Sequence, residues 1–128
     1  MSREGWTIAA SLAGLPFVVP HVLEDFAEGI ADRVGLATPV AAFLLGVYLA
    51  VQMLGVVLLA RARRAGWVIT FLASASWALV AVADHGPAVL AGDFRTGAPS
   101  VLWVVGLVLS QGTAAALAWR GSWRGSAA

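Results

Sequence analysis

The residues of this chain best suited to chemistry are its two histidines and the carboxylates beside them. His21, Glu24, Asp25, Glu28 and Asp32 follow the offsets i, i+3, i+4, i+7 and i+11, which put all five on one face if the helix that carries them runs on unbroken. Phe26, Ile30 and Val34 fall on another face, so the segment is amphipathic. Farther along, Asp84 and His85 place a second imidazole next to a second carboxylate. Imidazole with carboxylate is the donor set of zinc, manganese and non-haem iron, and the i, i+3 spacing of His21 and Glu24 lets one helix offer two ligands to one ion. His21, Glu24, Asp25, Asp84 and His85 are therefore the expected site for a divalent metal ion or other cation. Two facing histidines also admit a bis-imidazole haem, the less favoured cofactor. The same groups could act as general acid and base on a lipid-like substrate. The plain alternative is a solvated acidic rim, which is what an inside-positive membrane protein leaves on its outer side.

Other chemistry finds little footing. Cysteine is absent, which removes disulfides, thiolate ligands and cysteine nucleophiles. All eight basic residues are arginine, so no lysine is present to form a Schiff base. There is no phosphate-cradling glycine loop, no G-x-S-x-G and no H-E-x-x-H. A net charge of +1 gives no reason to expect a nucleic-acid partner.

The elements that must position the histidines are transmembrane helices. Pro39 to Ala60 runs for 22 residues without a charged side chain, and about 18 apolar residues suffice to cross a hydrocarbon core of roughly 30 Å as a helix. Three further apolar segments, Trp6 to Leu23, Gly66 to Ala83 and Ser100 to Trp119, have the same character. The 60% hydrophobic share, 12% charged share and mean hydropathy of +0.86 agree. The expected fold is all-α, a four-helix integral membrane bundle forming one transmembrane domain over residues 1–128, with no room for a second, water-soluble unit. Arg3 before an apolar stretch has the look of a secretory signal, but Pro16, Pro20 and His21 stand where a small-x-small cleavage site is expected, so the segment reads as a retained first span.

Charge sets the orientation. Arg61, Arg63 and Arg64 join spans two and three, and Arg120 and Arg124 follow span four; arginines in short loops mark the cytoplasmic side. Both termini are then cytoplasmic, and the acidic loops Glu24 to Thr38 and Asp84 to Pro99 face outward. Trp6, Trp67 and Trp119 fall at inner ends and Trp103 near an outer end, where indoles favour the interface; only Trp77 lies well inside a span. Arg95 could pair with Glu28 or Asp32 between the outer loops, a short interfacial helix is expected near Pro87 to Ala91, and Trp123 between Arg120 and Arg124 suits a headgroup anchor.

Within the membrane the expected contacts are neutral. Gln52, Ser74 and Gln111 each stand eight positions from the inner end of their span, forming a structural polar layer that hydrogen-bonds across spans two, three and four. The small-residue pairs Ala10 with Gly14, Gly46 with Ala50, and Gly106 with Ser110 would permit close helix approach. Pro16 and Pro20 predict a kink in span one. Spans two and four hold no Asp, Glu, His, Lys or Arg, and the ionisable groups of spans one and three stand at the outer ends, which disfavours proton-coupled carriers with a titratable group at mid-membrane.

In its four-span plan and its His21-x-x-Glu24 pair, the chain loosely resembles the emopamil-binding and sigma-2 receptor group, whose members handle sterol-like ligands in an intramembrane pocket. The spacing of the pair and the lack of deeper carboxylates depart from that group, so no function is carried over. The expected role is that of a small accessory, interaction or ligand-binding protein with a cation or partner site on its outer face. It is expected as a homo-oligomer or as a subunit of a larger complex, surrounded by membrane lipids, in the plasma membrane of a bacterium or archaeon. The alternatives are a metal-, haem- or acid/base-dependent enzyme acting on a lipid-like substrate, and a small oligomeric channel or carrier. The orientation is testable at once. A single cysteine placed at Ala62 is expected to react with a membrane-impermeant maleimide only after the membrane is opened, and labelling of intact cells at that position would overturn the arrangement.

Overall fold

The computed structural model describes residues 1–92 and 97–124, with the Arg124 side chain left aside. Six helices appear among them: α1 (Arg3–Ala13), α2 (Leu15–Ala27), α3 (Ile30–Arg33), α4 (Thr38–Ala60), α5 (Arg64–Ala91) and α6 (Ala98–Arg124). Helices α1 and α2 together make the first of four spans long and apolar enough to cross a membrane, and α4, α5 and α6 make the others. The chain is thus an all-α, multi-pass bundle. The α4–α5 turn with Arg61, Arg63 and Arg64, the start of α1 and the end of α6 lie at one end of it.

The first span is broken at Gly14 rather than simply bent at its prolines. Pro16 has no N–H to return to the preceding turn, and α2 restarts with Phe17 and Val18 donating to the Gly14 carbonyl at 3.0 and 2.9 Å. Pro20 is accommodated inside α2. Gly14 sits at a close approach, where a Cβ would run into the side chains of Gln111 and Ser110. Helix α6 packs most extensively against α5 and also lies along α1 and α2.

A chain of buried polar groups ties all four spans together. Trp77 Nε1 of α5 donates to Gln52 Oε1 of α4 at 2.9 Å, Gln52 Nε2 donates to Gln111 Oε1 of α6 at 3.2 Å, and Gln111 Nε2 donates to the Ser11 carbonyl of α1 at 3.3 Å. The Ser11 carbonyl lies just before the break in the first span, where the regular helix ladder is interrupted. Gln52 and Gln111 are fully buried. Ser74 is buried too, but its hydroxyl finds no hydrogen-bond partner. The place expected for Ser74 is taken by Trp77, whose longer side chain reaches across to α4. Tyr48 adds a second α4 to α5 link through its hydroxyl, which bonds Ser76 and donates to the Ala73 carbonyl at 2.6 Å.

The close contacts fall only partly on the expected small residues. Gly106 admits the Phe17 ring, but a Cβ at Gly46 would meet nothing and Ala50 is exposed. The tightest approaches are elsewhere. Gly66 abuts the backbone of Leu58 and Leu59 just after the arginine turn, Gly55 faces Ile69 and Thr70, and Gly121 faces the Trp67 ring. These glycines set how closely α5 can lie to α4 and α6.

Two further expectations change at the outer end. Helix α5 does not stop near Ala83; it continues through Asp84, His85 and Pro87 to Ala91 and is capped by Gly92 at φ 68°. No separate interfacial helix forms at Pro87, because a proline costs the helix one bond and α5 absorbs that loss. The acidic stripe after span one is cut. Gly29, at φ 79°, ends the run beginning at α2, so Asp32 lies on the separate short α3 rather than on the face of His21. Asp93, Phe94, Arg95 and Thr96 lie outside the described residues, and with them the pairing expected of Arg95.

The glutamine pair generates a stability test. Gln111→Leu leaves the Gln52 amide without its acceptor and is expected to destabilise the bundle by about 1–3 kcal/mol in a detergent unfolding titration. Adding Gln52→Leu should cost less than the sum of the two single changes, since each single variant strands a buried polar group that the double variant removes.

Candidate metal centre

His21 and Asp25 come from successive turns of α2, and His85 with Asp84 comes from α5. What brings them together is the apolar layer beneath. Val18, Ala81 and Leu107 form a buried cluster joined by Phe17, Val22, Leu49, Trp77 and Val108. His21 is three residues beyond Val18 and His85 four beyond Ala81, so each histidine stands on the helix row that buries the residue one turn below. The shared layer of Val18, Ala81 and Leu107 therefore sets how closely the imidazoles approach. Their ring centroids lie 4.7 Å apart in an edge-to-face arrangement, with an interplanar angle of 77°.

His85 stands 21 residues into α5 from Arg64, or about 32 Å along the axis. That is close to the thickness of a hydrocarbon core, roughly 30 Å, so the pair stands at the rim opposite the arginine turn. It is nevertheless shielded: His21 is only 5% exposed, and His85 and Asp25 are half-buried.

Asp25 is the hub. Its Oδ2 lies 3.4 Å from His21 Nε2 and its Oδ1 lies 3.7 Å from His85 Nε2, while Asp84 Oδ2 lies 3.2 Å from that same His85 nitrogen. One donor atom from each of His21, Asp25 and His85 can be chosen so that all fall within 4.8 Å of one another. Bonds of about 2.0–2.2 Å to zinc place neighbouring tetrahedral donors about 3.3 Å apart. The His21 to Asp25 separation of 3.4 Å is already close to that value, and His85 to Asp25 is 3.7 Å. Asp84, whose Oδ2 is 3.2 Å from His85 Nε2, stands beside this set as a second carboxylate.

Glu24 goes elsewhere. Its Oε1 accepts from Ser100 Oγ at 2.9 Å, and Ser100 is buried at the start of α6. The i, i+3 pair of His21 and Glu24 is therefore replaced by the i, i+4 pair of His21 and Asp25. The reason is rotation about the helix: Asp25 faces α5, and Glu24 faces α6. Nothing in the spacing of the sequence distinguishes the two, and Ser100 gives itself away only as a hydroxyl at the outer end of span four. Glu28 and Asp32 are exposed and stand apart from the cluster. The haem arrangement does not fit, because imidazoles in edge contact at 4.7 Å leave no slot for a porphyrin between them.

A cleft opens beside the cluster. It has a volume of about 240 Å³ and is walled by Val22, Phe26, Ala31, Leu45 and Trp77, with Asp25 the one charged residue in its lining. No family model, curated protein or solved structure matches the chain. The likeness to the emopamil-binding group therefore remains one of topology and carries no argument about function.

Proposed function

We propose that this protein binds a divalent metal ion of the zinc class at the outer face of the membrane, through His21, Asp25 and His85 with Asp84 as an additional oxygen donor. The observation that carries this reading is the convergence of two imidazoles and one carboxylate from two different spans to within 4.8 Å. Two nitrogens and a carboxylate are a recurrent protein donor set for zinc and for non-haem iron, and such three-ligand sites keep positions open to water or a partner. The shielding of His21 favours ligation over a purely solvated role. A bound ion would clamp α2 to α5 at the end farthest from the arginine turn.

The proposed role is accessory: a small bundle that presents an ion, or a group bound to it, to a second copy or a larger membrane complex. The proposed setting is the plasma membrane of a bacterium or archaeon. Within one chain the middle of the bundle is filled by Gln52, Gln111, Leu59 and Leu107, all fully buried, which does not favour the channel reading.

Protein purified without added metal is expected to carry zinc or to take it up in equimolar amount, as read by elemental analysis and calorimetry. His21→Ala, His85→Ala and Asp25→Asn should each weaken uptake by more than the roughly 10- to 100-fold typical of losing an outer-shell partner, and Glu24→Gln should leave it nearly unchanged. Protons compete for the imidazole nitrogens, so affinity should fall on acidification. Zinc uptake that survives loss of both histidines would end the proposal.

The cleft gives a second reading its own footing. An apolar hollow with a single carboxylate at its edge suits a lipid-like molecule whose polar end meets Asp25 or its ion, the arrangement a lipid-directed enzyme needs. Such an amphiphile should change the fluorescence of Trp77, and Leu45→Trp, which fills the cleft, should abolish its binding while sparing the ion.

A further inference from the structure

The opposite end of the bundle carries a site of different chemistry, made by residues from the two extremes of the chain. Arg3 of α1 and Arg120 of α6 are 117 positions apart in sequence. The packing of α1 along α6 brings them to one cavity of about 480 Å³, whose other walls are Trp119 and Trp123. Among the described residues no carboxylate lines it. The ion pairs within 4.0 Å among the described residues are made by histidines at the far end of the bundle, and none involves Arg3 or Arg120.

The aromatic wall is fixed in place. Phe71 of α5 lies against Trp119 with centroids 5.1 Å apart, and Trp119 meets Trp123 at 5.1 Å with an interplanar angle of 73°. Both indoles are nevertheless largely open, at 48% and 64% exposed. Two large amphipathic rings held open beside two guanidinium groups, at the ends of two membrane spans, lie at headgroup depth. Guanidinium is the side chain that matches phosphate oxygens with a planar pair of N–H donors.

We propose that this cavity binds the phosphate headgroup of an anionic phospholipid of the cytoplasmic leaflet, with Arg3 and Arg120 on the phosphate and Trp119 and Trp123 along the glycerol and upper acyl region. The volume suits the ligand, since sites for small molecules span about 300–1,000 Å³. A soluble phosphate would use the two arginines but leave the indoles facing water; a phospholipid uses both. Other arginines share this end, at Arg61, Arg63 and Arg64, but they do not line the cavity. That separates a built site from general attraction between basic residues and an anionic surface.

The test uses the full chain in a mild non-ionic detergent, titrated with short-chain phosphatidylglycerol and, separately, phosphatidylcholine, with bound lipid counted by native mass spectrometry and followed by tryptophan fluorescence. Phosphatidylglycerol is expected to bind saturably and in preference to phosphatidylcholine. Arg3→Gln with Arg120→Gln should weaken it roughly 30-fold, the effect of removing two interfacial arginines, and Arg61→Gln with Arg63→Gln should leave it unchanged. Arg3→Lys with Arg120→Lys retains both charges, guards against a folding defect in the glutamine variant, and should still bind more weakly than the parent. Equal binding of the two lipids, or equal losses from the two arginine pairs, would overturn the site in favour of diffuse charge. Displacement of phosphatidylglycerol by inorganic phosphate would assign the cavity to a soluble anion instead.

Discussion

The bundle depends on two glutamine side chains that have nowhere to go but to each other. In hydrocarbon an amide cannot turn to water, so each donor and acceptor must be met from a neighbouring helix. Gln52 and Gln111 meet that demand head to head, Trp77 supplies the remaining contact on one side, and the Ser11 carbonyl supplies it on the other. The result fixes the depth of four helices relative to one another. Each link contributes modestly, since interhelical hydrogen bonds in membranes are worth about 0.6–2 kcal/mol. Their value lies in register, because sliding one helix by a turn would break the chain of donors at its centre.

Register is what the rim site then uses. Once α2 and α5 are held at one depth, Val18 packs near Ala81, and the histidines one turn farther out are obliged to meet. The convergence of the two imidazoles on Asp25 is thus an outcome of how the apolar core is packed rather than of any local motif. The two ends of the bundle have opposite characters for the same reason of topology. An even number of long helices puts the start of α1 and the end of α6 at the arginine turn and leaves His21, Asp25, Asp84 and His85 at the other end.

The four long apolar helices, the pairing of the histidines at one depth and the burial of Gln52 and Gln111 are all legible in the sequence. Legibility stops short at choices made by side-chain direction. Glu24 and Asp25 are adjacent and both carry carboxylates, yet one turns to Ser100 and the other to the imidazoles. Ser74 has the right depth but too short a side chain, whereas Trp77 reaches across. The stripe that would have joined Asp32 to His21 ends at Gly29, whose left-handed backbone a sequence pattern does not announce.

The sequence by itself determined the all-helical plan, the number of long apolar helices and the separation of the Arg61 to Arg64 turn from the histidines, because long apolar runs and arginine-bearing turns act through composition and need no partner. Only the tertiary structure decided which residues share a site. Side chains at equal depth can point to any quarter of the bundle, and that angle is set by close approaches such as Gly66 on the Leu58 to Leu59 backbone and Gly14 on Gln111. Those contacts join positions far apart in the chain. Composition and periodicity describe each helix singly, whereas the angle at which two helices meet is a property of the pair.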